Sequence, residues 1–152
     1  MRKTLLYISI LFLSISCRSG ESDSQATGLS LSDTIELSRL SARPVSKGQN
    51  SAAYFTIRNG MDSADTLVAM ETEYFKSAEL HESYTTDDGL SGMRPVGRIA
   101  IPPGDSLVLK PGSFHIMLMQ ADRSFAAGDS ISLTLKLSQS GERNLNIPIN
   151  SL

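Results

Sequence analysis

The sequence predicts an all-β protein that folds as an antiparallel sandwich or barrel. Apolar and polar residues alternate in many short segments, and turn-forming residues separate those segments. Nowhere does an apolar pattern keep a 3.6-residue period for three helical turns. The chain has 152 residues, a length that suits one domain with a core of its own.

The first seventeen residues are typical of an export signal. Arg2 and Lys3 precede an apolar run over residues 5–15, whose length of about 11 residues is too short for a bilayer, which takes about 20. Small residues follow and lead to Cys17, which resembles the lipidated cysteine of bacterial lipoprotein signals. Ser14 stands where such signals usually have Leu, so a plain cleaved signal peptide is the alternative. We expect an exported protein, lipid-anchored on the periplasmic or cell-surface side of a bacterial membrane.

Residues 18–32 predict a flexible tether, because they are rich in Ser, Gly, Asp and Gln and offer little to bury. The folded domain is expected over residues 33–152. Turn signals such as Asn59-Gly60 divide it into strands, and Pro148 indicates an edge position for the last strand. Strands are predicted at residues 34–40, 51–59, 65–70, 77–84, 98–101, 106–110, 114–119, 131–138 and 145–149.

Composition excludes several function classes. The net charge is −2, with 14 basic and 16 acidic residues, so nothing favours nucleic acid as a partner. The single cysteine excludes a disulfide framework, a cysteine-based zinc site and the thiolate of a blue-copper centre. No Gly-rich phosphate loop, Ser-His-Asp spacing or paired-carboxylate motif is found in the sequence, so we expect a protein that is not an enzyme.

The strand at residues 114–119 has two faces of different chemistry. One face carries Phe114, Ile116 and Leu118, which are ordinary core residues; the other carries His115, Met117 and Met119. Alternate side chains stand about 7 Å apart, so His115 and Met117 can hold one atom between them. Imidazole and thioether form a soft, neutral ligand set, which selects Cu(I) over Mg, Ca or Mn. The alternative is that a Met-rich strand merely fills the core.

The other histidine of the chain is His81, and the Asp-Asp-Gly turn at residues 87–89 separates it from Met93. This turn permits the two residues to approach each other. The order and spacing of His81, Met93, His115 and Met117 resemble the signature of the PCu(A)C family of periplasmic copper chaperones. The flanking residues 52–59, 80–82, 93–96, 102–104 and 109–112 are similar to the family as well, and the resemblance covers residues 33–149.

The resemblance implies a cupredoxin-like, immunoglobulin-like antiparallel β-sandwich of the Greek-key type. It implies that one Cu(I) is bound near the surface by two His and two Met, carried over here to His81, Met93, His115 and Met117. It also implies delivery of copper to apo metalloprotein sites, such as those of a cytochrome c oxidase subunit, sometimes together with a Sco-like thiol oxidoreductase. The alternative from another class is a non-enzymatic structural or copper-sequestering surface lipoprotein.

Two further residues are candidates for a supporting role beside the ligands. Met119 lies on the ligand face of its strand, and we expect it to pack beside the site rather than bind the metal. Glu82 stands where many family members have Met, immediately after His81. Because neighbouring strand residues point to opposite faces, this departure should leave the four-ligand set intact.

Overall fold

The structure is a computed structural model that describes residues 34–150. The predicted signal with Cys17, the predicted tether, and the first residue and last two residues of the predicted domain lie outside the described residues. No helix long and apolar enough to cross a membrane occurs between residues 34 and 150.

Ten strands form the described domain, and every pairing between them is antiparallel. The predicted all-β class is therefore confirmed. The strands are β1 (Ile35–Ala42), β2 (Ser51–Asn59), β3 (Asp65–Thr72), β4 (Phe75–Thr85), β5 (Ser91–Pro95), β6 (Ile99–Ile101), β7 (Ser106–Val108), β8 (Phe114–Ala121), β9 (Ser130–Leu137) and β10 (Gly141–Pro148).

The strands are arranged in two sheets with the core between them. The first sheet has the order β1-β2-β8-β4-β5, with β7 also paired to β2, and the second has the order β10-β9-β3-β6. Fully buried apolar side chains from both sheets form one cluster, which is the packing expected of a sandwich. Its largest members are Phe55, Phe125, Ile57, Leu67, Leu80, Ile101, Ile116, Leu118, Ile131, Leu133, Leu135 and Ile147.

β8 occupies the middle of the first sheet, between β2 and β4. β2 and β4 are distant from β8 along the chain, so the connections cross over as they do in Greek-key sandwiches. Ile116 and Leu118 of β8 are completely buried in the core. Their burial fixes the register of β8, since a slip of one residue would turn both side chains outward.

Several strands extend further than the alternation predicted: β1, β3 and β8 end two residues later, and β4 and β10 begin earlier. β4 begins at Phe75 rather than near residue 77, and β10 begins at Gly141 rather than near residue 145. The added part of β10 is polar, yet it pairs along its backbone with β9. Pro148 lies in β10, which is an edge strand as expected.

The second sheet contains a completely buried carboxylate, Asp65, at the start of β3. Its two oxygens accept hydrogen bonds from the amides of Thr66, Gln139 and Ser140 and from the hydroxyls of Ser138 and Ser140, at 2.6–3.0 Å. Burial alone would raise the pKa of Asp65, but these hydrogen bonds outweigh burial and lower its pKa to about 2. Asp65 therefore fastens the turn between β9 and β10 to the start of β3.

Candidate metal centre

The two histidines lie directly opposite each other on adjacent strands. His81 of β4 pairs with His115 of β8, a position in which Cβ atoms are about 5 Å apart. Their ring centroids are 6.0 Å apart, with the ring planes inclined at 54°. Both rings lie on the outer face of the first sheet, because Leu80 and Ile116, their buried neighbours in sequence, face the core.

The two methionines of the predicted set lie on the same outer face. Met117 follows His115 by two residues on β8 and therefore points the same way. Met93 of β5 pairs with Ser83, which follows His81 by two residues on β4. The structure thus gathers all four predicted ligands on three adjacent strands, β5, β4 and β8.

The gathered side chains differ widely in exposure. His115 is 4% exposed, whereas Met93 is 56% exposed. Met93, His115 and Met117 line a cavity of about 270 Å³ that Tyr54 and Arg43 also border. The ring of Tyr54 lies 6.5 Å from the His115 ring, measured between centroids. The site is therefore closed at the His115 side and open to solvent at Met93.

Each histidine has one ring nitrogen engaged. His115 Nδ1 lies 3.0 Å from the carbonyl oxygen of Ser113, which can only accept, so Nδ1–H donates and Nε2 keeps its lone pair. His81 Nε2 lies 3.1 Å from a carboxylate oxygen of Glu79, and the same reasoning makes Nε2–H the donor. His81 Nδ1 is buried and has no hydrogen-bond partner among the described residues.

Glu79 was not singled out by the sequence analysis. Its other oxygen accepts a hydrogen bond from the Ser77 hydroxyl at 3.0 Å. The hydrogen bond from His81, and then the one from Ser77, hold the pKa of Glu79 below its ordinary value, while partial burial acts in the opposite direction. The signal that could have found Glu79 is the Glu-x-His spacing, which places both side chains on one face of a strand.

The supporting residues predicted from the sequence lie in different places. Met119 is on the outer face of β8, opposite Ser77. Glu82 faces away from His81, and one of its oxygens accepts hydrogen bonds from Nε and Nη2 of Arg94, at 2.9 and 2.7 Å. Glu82 is therefore engaged on the other face of the sheet.

The donor set at this site is soft. Between residues 34 and 150, no group of three or more His, Cys, Asp and Glu side chains is arranged to hold a metal ion. Beside the histidine pair, the further donors on this outer face include the thioethers of Met93 and Met117. Two imidazoles and two thioethers suit a soft monovalent cation and disfavour hard divalent ions.

The fold is a cupredoxin-like β-sandwich, and it carries two His and two Met on the outer face of its first sheet. A family model described as "Putative lipoprotein LpqE-like" matches residues 35–149. The chain therefore belongs to the LpqE-like family.

Two sequence relatives extend this result. The chain is 27% identical over 117 residues to "Putative lipoprotein Lxx21020" of Leifsonia xyli subsp. xyli, covering 77% of this chain and 70% of the relative. It is 30% identical over 104 residues to "Uncharacterized protein RP573" of Rickettsia prowazekii, covering 68% of this chain and 57% of the relative.

Solved structures share the fold. The apo PCuAC domain from PmoF1 has a TM-score of 0.64 at 25% identity, covering 78% of this chain and 94% of that domain. The copper-bound PCuAC domain from PmoF2 has a TM-score of 0.63 at 18% identity, covering 78% and 93%. Cu(I)-bound DR1885 from Deinococcus radiodurans has a TM-score of 0.57 at 26% identity, covering 75% and 78%. The predicted PCu(A)C resemblance and cupredoxin-like sandwich are confirmed.

Proposed function

We propose that this protein is an extracytoplasmic Cu(I) chaperone, not an enzyme, and that it binds one Cu(I) through His81, Met93, His115 and Met117. The observation that carries the proposal is the direct cross-strand pairing of the two histidines, with both methionines on the same outer face. The buried, unpartnered His81 Nδ1 supports it, because such a nitrogen is costly unless a ligand occupies it. Solved relatives of the same fold are copper-bound.

The ligand chemistry suits delivery rather than storage. The four side chains are neutral and contain no thiol, so they suit Cu(I) and do not form disulfides in an oxidising compartment. Each thioether bond is weak by itself, so an acceptor can replace the ligands one at a time. Met93, which is 56% exposed, is the ligand that an acceptor reaches first.

The location and the acceptor belong to the same proposal. Both the LpqE-like family and the Leifsonia relative are named as putative lipoproteins, which supports export and lipid anchoring through Cys17. The acceptor is an apo copper site, such as that of a cytochrome c oxidase subunit, and a Sco-like thiol oxidoreductase is a second partner. The resemblance to PCu(A)C chaperones supports this part.

A competition titration tests copper binding. The purified protein, kept in mild detergent, is titrated with Cu(I) in the presence of a chromophoric Cu(I) chelator. We expect one tight equivalent for the native chain, and its loss when His81→Ala and Met117→Ala are combined. Met70→Ala is a matched control, because this methionine lies on β3 of the other sheet.

Binding and delivery are separated by a second measurement. The copper-loaded protein is mixed with an apo oxidase copper domain, and copper is followed to the acceptor. Transfer supports a chaperone, whereas tight binding without transfer supports the copper-sequestering alternative. Equally weak binding by the native chain and the double variant would contradict a copper site altogether and favour a structural lipoprotein.

A further inference from the structure

We propose that Glu79 is a positioning residue that holds His81 in the Nε2–H tautomer, so that the two histidines present opposite ring nitrogens to the metal: Nδ1 of His81 and Nε2 of His115. This inference rests on the proposed copper site and assigns a role to a residue outside the four ligands. It follows from which nitrogen of each ring the protein already engages.

The Glu79 carboxylate is itself fixed in place. One of its oxygens accepts the Ser77 hydroxyl at 3.0 Å, and the other lies 3.1 Å from His81 Nε2. Ser77, Glu79 and His81 alternate along β4 and therefore share its outer face. These contacts link the Ser77 hydroxyl, the Glu79 carboxylate and the His81 imidazole. The carboxylate lies between the other two groups and accepts a hydrogen bond from each.

The orientation of the His81 ring follows from this contact. Turning the ring over would exchange Nε2 with a ring carbon and leave Glu79 facing C–H instead of N–H. The proton on Nε2 leaves Nδ1 with a free lone pair, and this atom is buried and unpartnered. A lone pair that is shielded from water and receives no hydrogen bond is suited to a metal ion.

In His115 the other ring nitrogen makes the hydrogen bond. Its Nδ1–H donates to the Ser113 carbonyl at 3.0 Å, and Nε2 is the nitrogen left for a ligand. Within residues 34–150 no hydrogen bond to His115 Nε2 is found. The two rings, 6.0 Å apart between centroids, thus reach one ion from adjacent strands through different atoms, which lets directly opposed residues bind without stacking on each other.

Glu79 would also offset the positive charge of the copper-bound site. The four ligands are neutral, so bound Cu(I) would add an uncompensated positive charge at a site partly shielded from water. Glu79 lies opposite Met117 in the sheet and supplies one negative charge beside Nε2 of His81, the ring nitrogen that does not bind the metal in this proposal. A carboxylate in this position raises the basicity of the ligating nitrogen without itself binding the metal.

The tautomers can be measured without any metal. The chain contains two histidines, so a long-range ¹H–¹⁵N spectrum of the ¹⁵N-histidine-labelled full chain contains two ring patterns. His81→Gln assigns them by removing one. We expect Nε2–H for His81 and Nδ1–H for His115 in the apo protein at neutral pH. Finding the same tautomer in both rings would overturn the proposal.

Metal binding gives the second readout. We expect Cu(I) to shift Nδ1 of His81 and Nε2 of His115. Glu79→Ala should lower Cu(I) affinity by about 10–100-fold and leave His81 as a mixture of tautomers. Glu79→Gln should retain more of the Cu(I) affinity than Glu79→Ala, because its amide oxygen can still accept a hydrogen bond from Nε2–H. Ser77→Ala should give an intermediate loss of Cu(I) affinity.

Glu71→Gln is the matched control, since it removes an exposed strand carboxylate on the other sheet, where it pairs with Lys136. An affinity of Glu79→Ala within roughly twofold of the native chain, or an unchanged His81 tautomer in that variant, overturns the positioning role. Failure of the proposed function gives a different result. The native chain would then bind no Cu(I) tightly, and the histidine tautomers of the apo protein would still test the role of Glu79.

Discussion

Asp65 and His81 are polar side chains on different sheets, Asp65 completely buried and His81 shielded on the outer face, and they differ in how fully their polar atoms are hydrogen-bonded. Asp65 is completely buried, and both of its oxygens are saturated by donors from β3 and from the turn after β9. Among residues 34–150, His81 makes one side-chain hydrogen bond and leaves a buried nitrogen without a partner. A saturated polar group holds the architecture together, whereas an unsaturated one costs stability and is expected where a ligand will bind.

Replacing Asp65 should give the largest loss of stability. Asp65→Ala removes a carboxylate that accepts charge-assisted hydrogen bonds and leaves the buried amides without an acceptor. We expect the free energy of unfolding to fall by about 3 kcal/mol, measured by chemical denaturation. Cu(I) affinity of the folded fraction should not change, because Asp65 lies in the other sheet. A large loss of affinity at constant fold would show that the two regions are coupled.

The same carboxylate should make stability depend on acidity. The pKa of Asp65 is lowered from its ordinary value of 3.8 to about 2 in the folded protein, so the ionised form stabilises the fold. This contribution is fully present above about pH 4 and is lost as the pH falls towards 2, in total about 2 kcal/mol. The difference in stability between the native chain and Asp65→Asn should narrow over that range. A constant difference would contradict the lowered pKa.

Replacing His81 should have the opposite effect to replacing Asp65: copper binding is lost and stability is kept. His81→Leu removes the unpartnered nitrogen and places apolar surface on a side chain that is 14% exposed, while Glu79, at 45% exposed, regains water. We expect stability to stay level or rise by up to about 1 kcal/mol, while tight Cu(I) binding is lost. Thermal unfolding and the chelator titration measure the two effects. Destabilisation comparable to that of Asp65→Ala would mean that His81 is structural.

Met119 should give the smallest effect. It shares the outer face with Met117 but lies one step further from the histidine pair, opposite Ser77. Met119→Leu keeps the volume and removes the thioether. We expect Cu(I) affinity to change by less than about threefold, whereas Met117→Leu should weaken binding strongly. Equal losses in both variants would make Met119 a ligand.

Much of this domain could be predicted from alternation alone. The bounds of β2 agree with the prediction at both ends, because its inner face carries the fully buried Phe55 and Ile57 and a turn signal follows at Asn59-Gly60. β5 was anticipated only as a chain segment leading to Met93. Most of its residues are exposed, so no apolar pattern indicates a strand. The segment is a strand because its backbone pairs with β4.

The placement of the proposed ligands on one face was predicted in part, and whether they bind a metal stays a prediction. The spacing on β8 placed His115 and Met117 on one face, since that is local geometry. The pairing of His81 with His115 joins strands whose register is set by core residues such as Leu80 and Ile116, which no local pattern reveals. Glu79 was missed because polar residues are ordinary on a solvent-facing strand surface, and the Glu-x-His spacing places Glu79 on the same face as His81 without showing that the two side chains are hydrogen-bonded.

The exposure of Met93 has a consequence for chemical durability. Met93 is 56% exposed, so among the four proposed ligands it is the one that peroxide reaches most readily, and oxidation converts its thioether to a polar sulfoxide. A sulfoxide presents oxygen where the site needs soft sulfur, so one oxidation event would disable the open side while the shielded His115 is untouched. Methionine sulfoxide reductases reverse this lesion, which makes the damage repairable at the one ligand that is exposed enough for an enzyme to reach.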